Sequence, residues 1–382
     1  MRKLVLILGA ALALGLPAPA WAAPSPPTTA SPAAVLVEAS TGQVLYAKSA
    51  DAVRSPASMT KLMTLHLALR AVREHKVRLG DPVAVSQRAW KTGGSQIWLE
   101  PGETVPFGQL LRAVAIGSAN DACVAIAEHL AGSEGAFVAQ MNREAKRLGM
   151  MHTHYVNSHG LDAEDHVTSP LDMAKLARVA VQDEGLLALT SQREDRTIRD
   201  GKGGHLWLVN TNRLLGRVPG VDGLKTGYTG KAGFCLTATA QREGLRLIAV
   251  VMGGSSSKTR FADVQELLSY GFSNYRAVLL AHRGQTVGRV SVLHGTQGSV
   301  VATVQRDVSA VQERQDRPTI RLRPMLNGSV SAPVRRGQVL GHAEILEAGV
   351  KVGDVPLIAR DGIGRQTFTL LLRQMLEGVL HI

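Results

Sequence analysis

Strand-like segments lie on both sides of a helical stretch in the first two thirds of this chain, and this order constrains the fold more than any other feature. Apolar runs at 34–39 and 43–47 surround a Ser-Thr-Gly turn and predict a β-hairpin. Three further strand-like runs follow at 221–228, 233–240 and 245–252. The order predicts an α+β or α/β domain in which segments from both ends share one sheet.

Between these two groups of strands, apolar side chains recur at three- and four-residue steps, which is typical of helices. Helices are predicted at 58–72, 107–115, 119–130, 136–148 and 171–181, and another at 261–275. Beyond about residue 283, short strand-like runs alternate with Gly, Pro and Asn turns, which predicts a small all-β domain.

The first residues have the pattern of a secretory signal peptide. Two basic residues precede an apolar run at 4–16, and a small-x-small site follows at 20–22. The run is shorter than the ~20 residues that a membrane-spanning helix needs, which disfavours an uncleaved anchor. We expect cleavage after Ala22 or Ala23 and a mature protein that is exported to the periplasmic face of the cytoplasmic membrane.

The last residues have the periodicity of an amphipathic helix, with apolar side chains at helical spacing between 365 and 382 and polar ones largely opposite. Such a helix packs on its own domain, pairs with a partner or lies in a membrane interface. We favour the interface, as a peripheral anchor, because the chain is exported and basic. The predicted domains are 1–23 (signal peptide), 24–283 (catalytic), 284–360 (β-rich) and 361–382 (anchor helix).

The net charge restricts the classes of partner. The formal charge is +12, and loss of Arg2 and Lys3 with the signal peptide leaves 12 − 2 = +10. A basic exported protein suits anionic lipid headgroups or an anionic wall polymer, although part of such a charge serves solubility alone. Nucleic acid is excluded as a partner because the basic residues are scattered, few aromatic residues accompany them, and export removes the ligand.

The cysteine content excludes a disulfide scaffold. The chain has two cysteines, Cys123 and Cys235, and no CxxC motif. Whether these two cysteines pair with each other is left open by the sequence.

A Ser-x-x-Lys motif opens the first predicted helix. Three residues are nearly one helical turn, so Lys61 lies on the same face as Ser58 and is placed to act as its base. The partial positive charge of the helix N-terminus favours a neutral lysine there. Ser255 and Lys258 match the same pattern by chance in a polar segment.

Two more short motifs follow in order. Ser118 and Asn120 lie at a predicted break between helices, where a hydroxyl and an amide could relay a proton and hold a substrate amide, although either residue also suits an N-cap. The Lys-Thr-Gly motif at 225–227 lies on a predicted strand, where Gly227 lets the backbone approach a ligand closely. A second Lys-Thr-Gly, at 91–93, lies in a loop without a strand pattern.

The three motifs together, each on its predicted element, resemble those of penicillin-binding proteins and class A β-lactamases. The segments 54–61, 118–123, 159–162 and 222–227 are similar to those of D-alanyl-D-alanine carboxypeptidases of the penicillin-binding protein 5 type. The resemblance spans nearly the whole mature chain. It implies an α+β fold, with a transpeptidase-like catalytic domain of antiparallel sheet and helical region, a small all-β domain and a C-terminal amphipathic helix.

The resemblance also implies a mechanism. Ser58 would attack the carbonyl between two D-alanines and become acylated, Lys61 would be the general base, and Ser118 would pass the proton to the leaving amine. The substrate would be the peptidoglycan stem pentapeptide, and β-lactam antibiotics would acylate the same serine. Neither a cofactor nor a metal is expected.

The remaining implied roles concern substrate binding. Asn120 would hold the peptide amide, and Lys225 and Thr226 would engage the terminal carboxylate. The backbone N–H groups of the nucleophile and of Tyr228 would form the oxyanion hole. Arg260, placed in the loop after the strand at 245–252, would help to hold the carboxylate.

Other activities share parts of this pattern. A β-lactamase is disfavoured because no E-x-x-L-N pattern occurs between the second and third motifs. A DD-endopeptidase would share nucleophile, base and fold, but its relatives usually lack segments like 284–382. A non-catalytic wall-binding protein would not need a nucleophile. A zinc hydrolase remains an alternative for the polar segment with four histidines and three carboxylates, namely His152, His154, His159, His166, Asp162, Glu164 and Asp165.

Overall fold

A computed structural model describes residues 26–200, 202–315 and 320–367. The predicted signal peptide and residues 368–382, on which most of the predicted C-terminal helix falls, lie outside the described residues. Within the described ranges, no helix is long and apolar enough to cross a membrane.

The helices of the described chain lie between residues 57 and 274. They are α1 (Lys61–Arg73), α2 (Gln87–Lys91), α3 (Phe107–Arg112), α4 (Asn120–Ala131), α5 (Glu134–Arg147), α6 (Pro170–Ala180), α7 (Glu184–Thr190) and α8 (Ser257–Asn274). A 3₁₀ turn (Ala57–Thr60) leads into α1, and a π turn (Ala113–Gly117) follows α3.

The strands of the first domain are β1 (Ala33–Glu38), β2 (Val44–Lys48), β3 (Pro82–Ala84), β4 (Thr104–Pro106), β5 (Glu194–Arg199), β6 (His205–Val209), β7 (Val221–Thr229), β8 (Gly233–Arg242) and β9 (Leu245–Gly254). Those of the β-rich domain are β10 (Tyr275–Ala281), β11 (Thr286–Leu293), β12 (Ser299–Val304), β13 (Val308–Glu313), β14 (Ile320–Leu326), β15 (Ser329–Ser331), β16 (Val339–Glu347) and β17 (Val350–Ala359).

The central sheet unites the two ends of the first domain, as the sequence predicts. Its order is β2-β1-β9-β8-β7, and all its pairs are antiparallel. Alternate side chains enter two different cores: Val35 packs in the cluster that contains the buried face of α1, whereas Leu36 packs in the cluster that contains Leu267 of α8. This confirms the expected α+β fold and leaves β7 as an edge strand.

The helix expected at 107–115 is present as α3 and the π turn that continues it to Gly117. The predicted end of the helix at 261–275 is wrong, because Tyr275 begins β10. The hairpin of β5 and β6 was not predicted because charged residues interrupt its alternation.

The β-rich domain contains a two-stranded sheet, β10-β13, and a six-stranded sheet in the order β14-β16-β17-β12-β11-β15. Because β10 pairs with β13, the β-rich segment begins at residue 275, earlier than the predicted boundary at 284. Residues 361–367, predicted as part of the anchor helix, are extended here: Ile363 bridges to Val334 and is buried in the core of this domain.

Candidate active site

Ser58 and Lys61 lie at the junction of the 3₁₀ turn and α1, in contact with each other. The Lys61 Nζ atom is 2.9 Å from Ser58 Oγ and 2.5 Å from the carbonyl oxygen of His159. Ala57, immediately before the serine, has a φ of +48°, which is uncommon for a residue with a side chain and is typical of functional sites under strain. The predicted juxtaposition of the two motif residues is therefore present.

The environment of Lys61 makes its neutral form more accessible than that of a solvated lysine. Its side chain is fully buried, and this burial lowers its pKa from 10.5 to about 8, against an opposing effect of the Asp121 carboxylate. A neutral amine that touches a hydroxyl can accept its proton, so Lys61 has both the geometry and the acidity of a general base.

The loop that carries the His159 carbonyl is held in place from two sides. Gly160 (φ +95°) lies so close to the 3₁₀ turn that a Cβ there would overlap the Ala57 carbonyl. On the other side, the buried Glu134 carboxylate accepts hydrogen bonds from Ser158 N (3.0 Å) and from Arg88 Nη2 (2.7 Å). The acceptor for Lys61 is thus fixed by contacts that no short motif indicates.

The second motif lies at the break between the π turn and α4, as predicted. Ser118 has a left-handed conformation (φ +63°), and no side chain caps the described N-terminus of α4, so capping does not account for this motif. The Asn120 Nδ2 atom donates to the Gly93 carbonyl at 2.6 Å. With one N–H group engaged, the amide retains its oxygen as an acceptor.

The third motif lies on β7, next to the nucleophile. A Cβ on Gly227 would lie 2.9 Å from the Pro56 carbonyl oxygen and 3.1 Å from Ala57 Cβ, so glycine permits strand and 3₁₀ turn to meet. Lys225 is buried, and burial followed by the neighbouring charges of Lys61 and Arg260 lowers its pKa well below 10.5.

Thr226 is also nearly buried, and its Oγ1 lies 2.6 Å from Thr211 Oγ1. Thr211 was not predicted as a site residue because it belongs to no motif and lies in a loop before β7.

Arg260 differs from its predicted setting. It lies in the first turn of α8, not in a loop, and its Nη1 donates to the carbonyl oxygens of Gly227 (3.0 Å) and Cys235 (3.3 Å). Its buried Nε has no hydrogen-bond partner within the described residues. Tyr228, by contrast, is 57% exposed, and the centroid of its ring lies 4.3 Å from that of Phe234.

The chance matches have structural explanations. Ser256, inside the second Ser-x-x-Lys match, caps α8 through its Oγ. The second Lys-Thr-Gly lies at the end of α2, and its Gly93 supplies the acceptor for Asn120. This segment therefore contributes to the site, although not as a Lys-Thr-Gly motif.

The histidine segment is used for hydrogen bonding within the fold. His166 Nε2 lies 2.8 Å from Thr60 Oγ1, and its Nδ1 accepts from Val156 N at 2.9 Å. Across the residues that the structure describes, no group of three or more His, Cys, Asp or Glu side chains is placed to hold a metal. Cys123 and Cys235 are both buried free thiols.

Two family models match this chain. A family model described as D-alanyl-D-alanine carboxypeptidase matches residues 20–256, and one described as penicillin-binding protein 5, C-terminal domain, matches residues 275–365. The chain is 40% identical over 342 residues to the D-alanyl-D-alanine carboxypeptidase DacF of Bacillus subtilis, covering 89% of this chain and 88% of that protein.

Two solved structures are similar to the fold. Penicillin-binding protein 5 of Haemophilus influenzae has a TM-score of 0.72 at 29% identity, covering 90% of this chain and all of that one. Penicillin-binding protein D2 of Listeria monocytogenes, in its ampicillin-bound form, has a TM-score of 0.58 at 32% identity, covering 64% of this chain and 98% of that one.

Proposed function

This chain belongs to the D-alanyl-D-alanine carboxypeptidase family, and we propose that Ser58 is the nucleophile with which it removes the terminal D-alanine from peptidoglycan stem peptides. It is a serine peptidase of the penicillin-binding type, which confirms the resemblance drawn from its motifs. One observation carries the assignment of the nucleophile: a fully buried lysine with a pKa of about 8 lies 2.9 Å from the Ser58 hydroxyl.

In the first step, Lys61 takes the proton of the Ser58 hydroxyl while Oγ bonds to the carbonyl carbon between the two D-alanines. The carbonyl oxygen becomes an oxyanion, which the backbone N–H groups of Ser58 and Tyr228 stabilise. The C–N bond then breaks, and a proton passes through Ser118 to the departing amine. Water hydrolyses the acyl-enzyme and regenerates the serine.

Two sets of side chains orient the substrate for this attack, one at its peptide N–H group and one at its terminal carboxylate. The Asn120 amide oxygen, left free by the bond from Nδ2 to Gly93, accepts the N–H group of the substrate peptide. Lys225 and Thr226 bind the terminal carboxylate, with the Arg260 guanidinium adding positive charge from behind β7. Because burial disfavours a charged Lys225 in the empty site, the incoming carboxylate itself restores the ammonium form.

Export and membrane attachment complete the proposal. The pattern of residues 1–23 supports cleavage and passage across the cytoplasmic membrane. The periodicity of residues 368–382 supports an interfacial helix that holds the enzyme at the periplasmic face of that membrane. There the enzyme reaches newly made peptidoglycan.

Mass spectrometry after incubation with benzylpenicillin tests the assignment of the nucleophile. We expect one covalent adduct, mapped to Ser58, which is absent in Ser58→Ala and present in the matched control Ser255→Ala. An adduct on another residue, or none in folded protein, would overturn it. Release of free D-alanine from a stem pentapeptide, without cleavage of cross-linked dimers, separates a carboxypeptidase from an endopeptidase.

A further inference from the structure

The chain leaves the β-rich domain where three segments meet, at 291–298, 332–338 and 360–366. Gly295 bridges to Arg365, and Val334 bridges to Ile363. Backbone hydrogen bonds from Thr296 N to Gly364 O and from Gln366 N to His294 O, at 2.9 and 2.8 Å, fasten the outgoing chain to the first of these segments. The described chain is therefore held to the domain as far as Gln366.

These three segments are strongly basic. They carry four exposed arginines, which we call the exit rim: Arg335, Arg336, Arg360 and Arg365. The same segments contain one acidic residue, Asp361, whose carboxylate lies 3.0 Å from Arg360 Nε. The three segments thus have a formal charge of 4 − 1 = +3. The proposed catalytic mechanism uses none of these residues.

The exit rim lies at the end of the domain that is far from the active site. At the near end, Ser40 of the first domain donates to the Ser309 carbonyl at 3.0 Å, and a Cβ on Gly353 of β17 would lie 3.5 Å from Thr41. From Gly353, β17 runs to Ala359, a distance of about 20 Å at ~3.3 Å per residue. The rim therefore lies about 20 Å along β17 from this contact with the catalytic domain.

We propose that the exit rim is an electrostatic contact for an anionic phospholipid surface, acting beside residues 368–382; this inference rests on the proposed membrane attachment. If residues 368–382 lie in the membrane interface as proposed, the rim lies near headgroup level, because only Thr367 separates them from Gln366, whose backbone N–H is bonded to the His294 carbonyl. Arginines within a Debye length of such a surface are attracted to it. A dual contact would also fix the orientation of the enzyme, with its cleft towards the wall.

Vesicle sedimentation tests the proposal on the mature chain, with and without residues 368–382. The vesicles contain phosphatidylcholine alone or with phosphatidylglycerol, at low and high salt. The rim variant is Arg335→Glu/Arg336→Glu. The matched control, Arg306→Glu/Arg321→Glu, makes the same charge change at exposed residues: Arg306 lies in the β12–β13 turn, and Arg321 pairs with Leu346 near the hairpin end of β16.

We expect the rim variant to bind anionic vesicles at least ~30-fold more weakly, and the control to differ by less than about threefold. Binding to neutral vesicles should not change, and high salt should remove the difference. The chain without 368–382 should retain weak, salt-sensitive binding to anionic vesicles that the rim variant lacks.

The outcomes separate the rim from the anchor. If both chain lengths bind anionic vesicles equally and the rim variant abolishes this, the rim is supported and the anchor is wrong. If the rim variant binds anionic vesicles as well as the control does, the rim proposal is wrong, whether or not residues 368–382 act as an anchor. The rim proposal is also wrong if neither chain length binds any vesicle. Loss of binding to isolated cell walls with unchanged vesicle binding would assign the rim to a wall polymer and overturn the proposal.

Discussion

The substitution Gly227→Ala should move β7, which carries the third motif, away from the 3₁₀ turn that leads to Ser58. Gly227 follows Thr226 on β7, and its missing side chain faces the 3₁₀ turn that leads to Ser58. An added methyl group would lie 2.9 Å from the Pro56 carbonyl oxygen, and ordinary van der Waals contact begins at 3.4 Å. Strand and turn must therefore separate by 3.4 − 2.9 = 0.5 Å.

This separation should slow acylation, because the third motif is no longer held in its place beside Ser58. A displacement of ~1 Å between reacting groups costs ~100-fold in rate, so half of that predicts a loss of about tenfold. Overpacking of this kind also costs about 1–3 kcal/mol in the free energy of unfolding. The base contact between Ser58 and Lys61 lies within one turn of the chain and is not stretched, so an adduct still forms, only more slowly.

Gly230→Ala is the matched control. Gly230 lies three residues further along, a Cβ there would meet nothing within 4 Å, and neither glycine has a positive φ. Stopped-flow acylation by benzylpenicillin gives the rate of adduct formation, and thermal denaturation gives the change in stability. If Gly227→Ala is acylated within twofold of the rate of Gly230→Ala, close contact between β7 and the 3₁₀ turn does not position the site.

Three further outcomes test the electrostatics. The rate of acylation should rise with pH through an apparent pKa of about 8, because neutral Lys61 forms there. Asp121→Asn should lower this apparent pKa, because the carboxylate stabilises the charged lysine. The same apparent pKa for both proteins in stopped-flow acylation would contradict this. Above pH 8, where Lys61 is already largely neutral, binding of a D-alanine-terminated peptide to Ser58→Ala should take up protons, because the carboxylate raises the pKa of Lys225. Calorimetry in two buffers that shows no uptake at that pH would refute it. Burial lowers the pKa of His159 and His166 from 6.5 to about 4. Between these pH values the unfolded chain binds more protons than the folded one, so the free energy of unfolding should fall as the pH falls from 6.5 to 4. A melting temperature that does not change over this pH range would count against it.

Local patterns were sufficient to predict most of the sheet and the three motifs. The strand β9 contains a continuous apolar run, and the run in β8 is interrupted only by threonines; a strand buried on both faces produces such runs without reference to the rest of the chain. Likewise, the contact between Ser58 and Lys61 depends only on helical spacing. Features of this kind are encoded within a few residues.

Contacts between distant loops could not be predicted in this way. Gly93 lies in a segment without a strand pattern, yet its carbonyl fixes the Asn120 amide. Glu134 precedes the His159 loop by more than twenty residues, and nothing near it in sequence marks it as the group that holds that loop. The sequence predicts a loop at Arg260 because its helix begins at Ser257, where polar residues hide the periodicity.

In the proposed mechanism, Lys61 acts as a neutral amine and Lys225 as an ammonium, and burial of both side chains bears on both charge states. Burial lowers the pKa of Lys61 and, more strongly, that of Lys225, where the charge of Lys61 and then that of Arg260 add to the effect of burial. Without substrate, the neutral form of each amine is therefore more populated than in a solvated lysine, and this is the form that Lys61 needs to act as a base. A substrate that ends in a carboxylate supplies the negative charge that lets Lys225 become an ammonium, and that ammonium in turn disfavours a proton on Lys61. A ligand without the carboxylate leaves the pKa of Lys225 lowered by its burial. Selection for a free C-terminus and activation of the base thus depend on the same buried electrostatic environment.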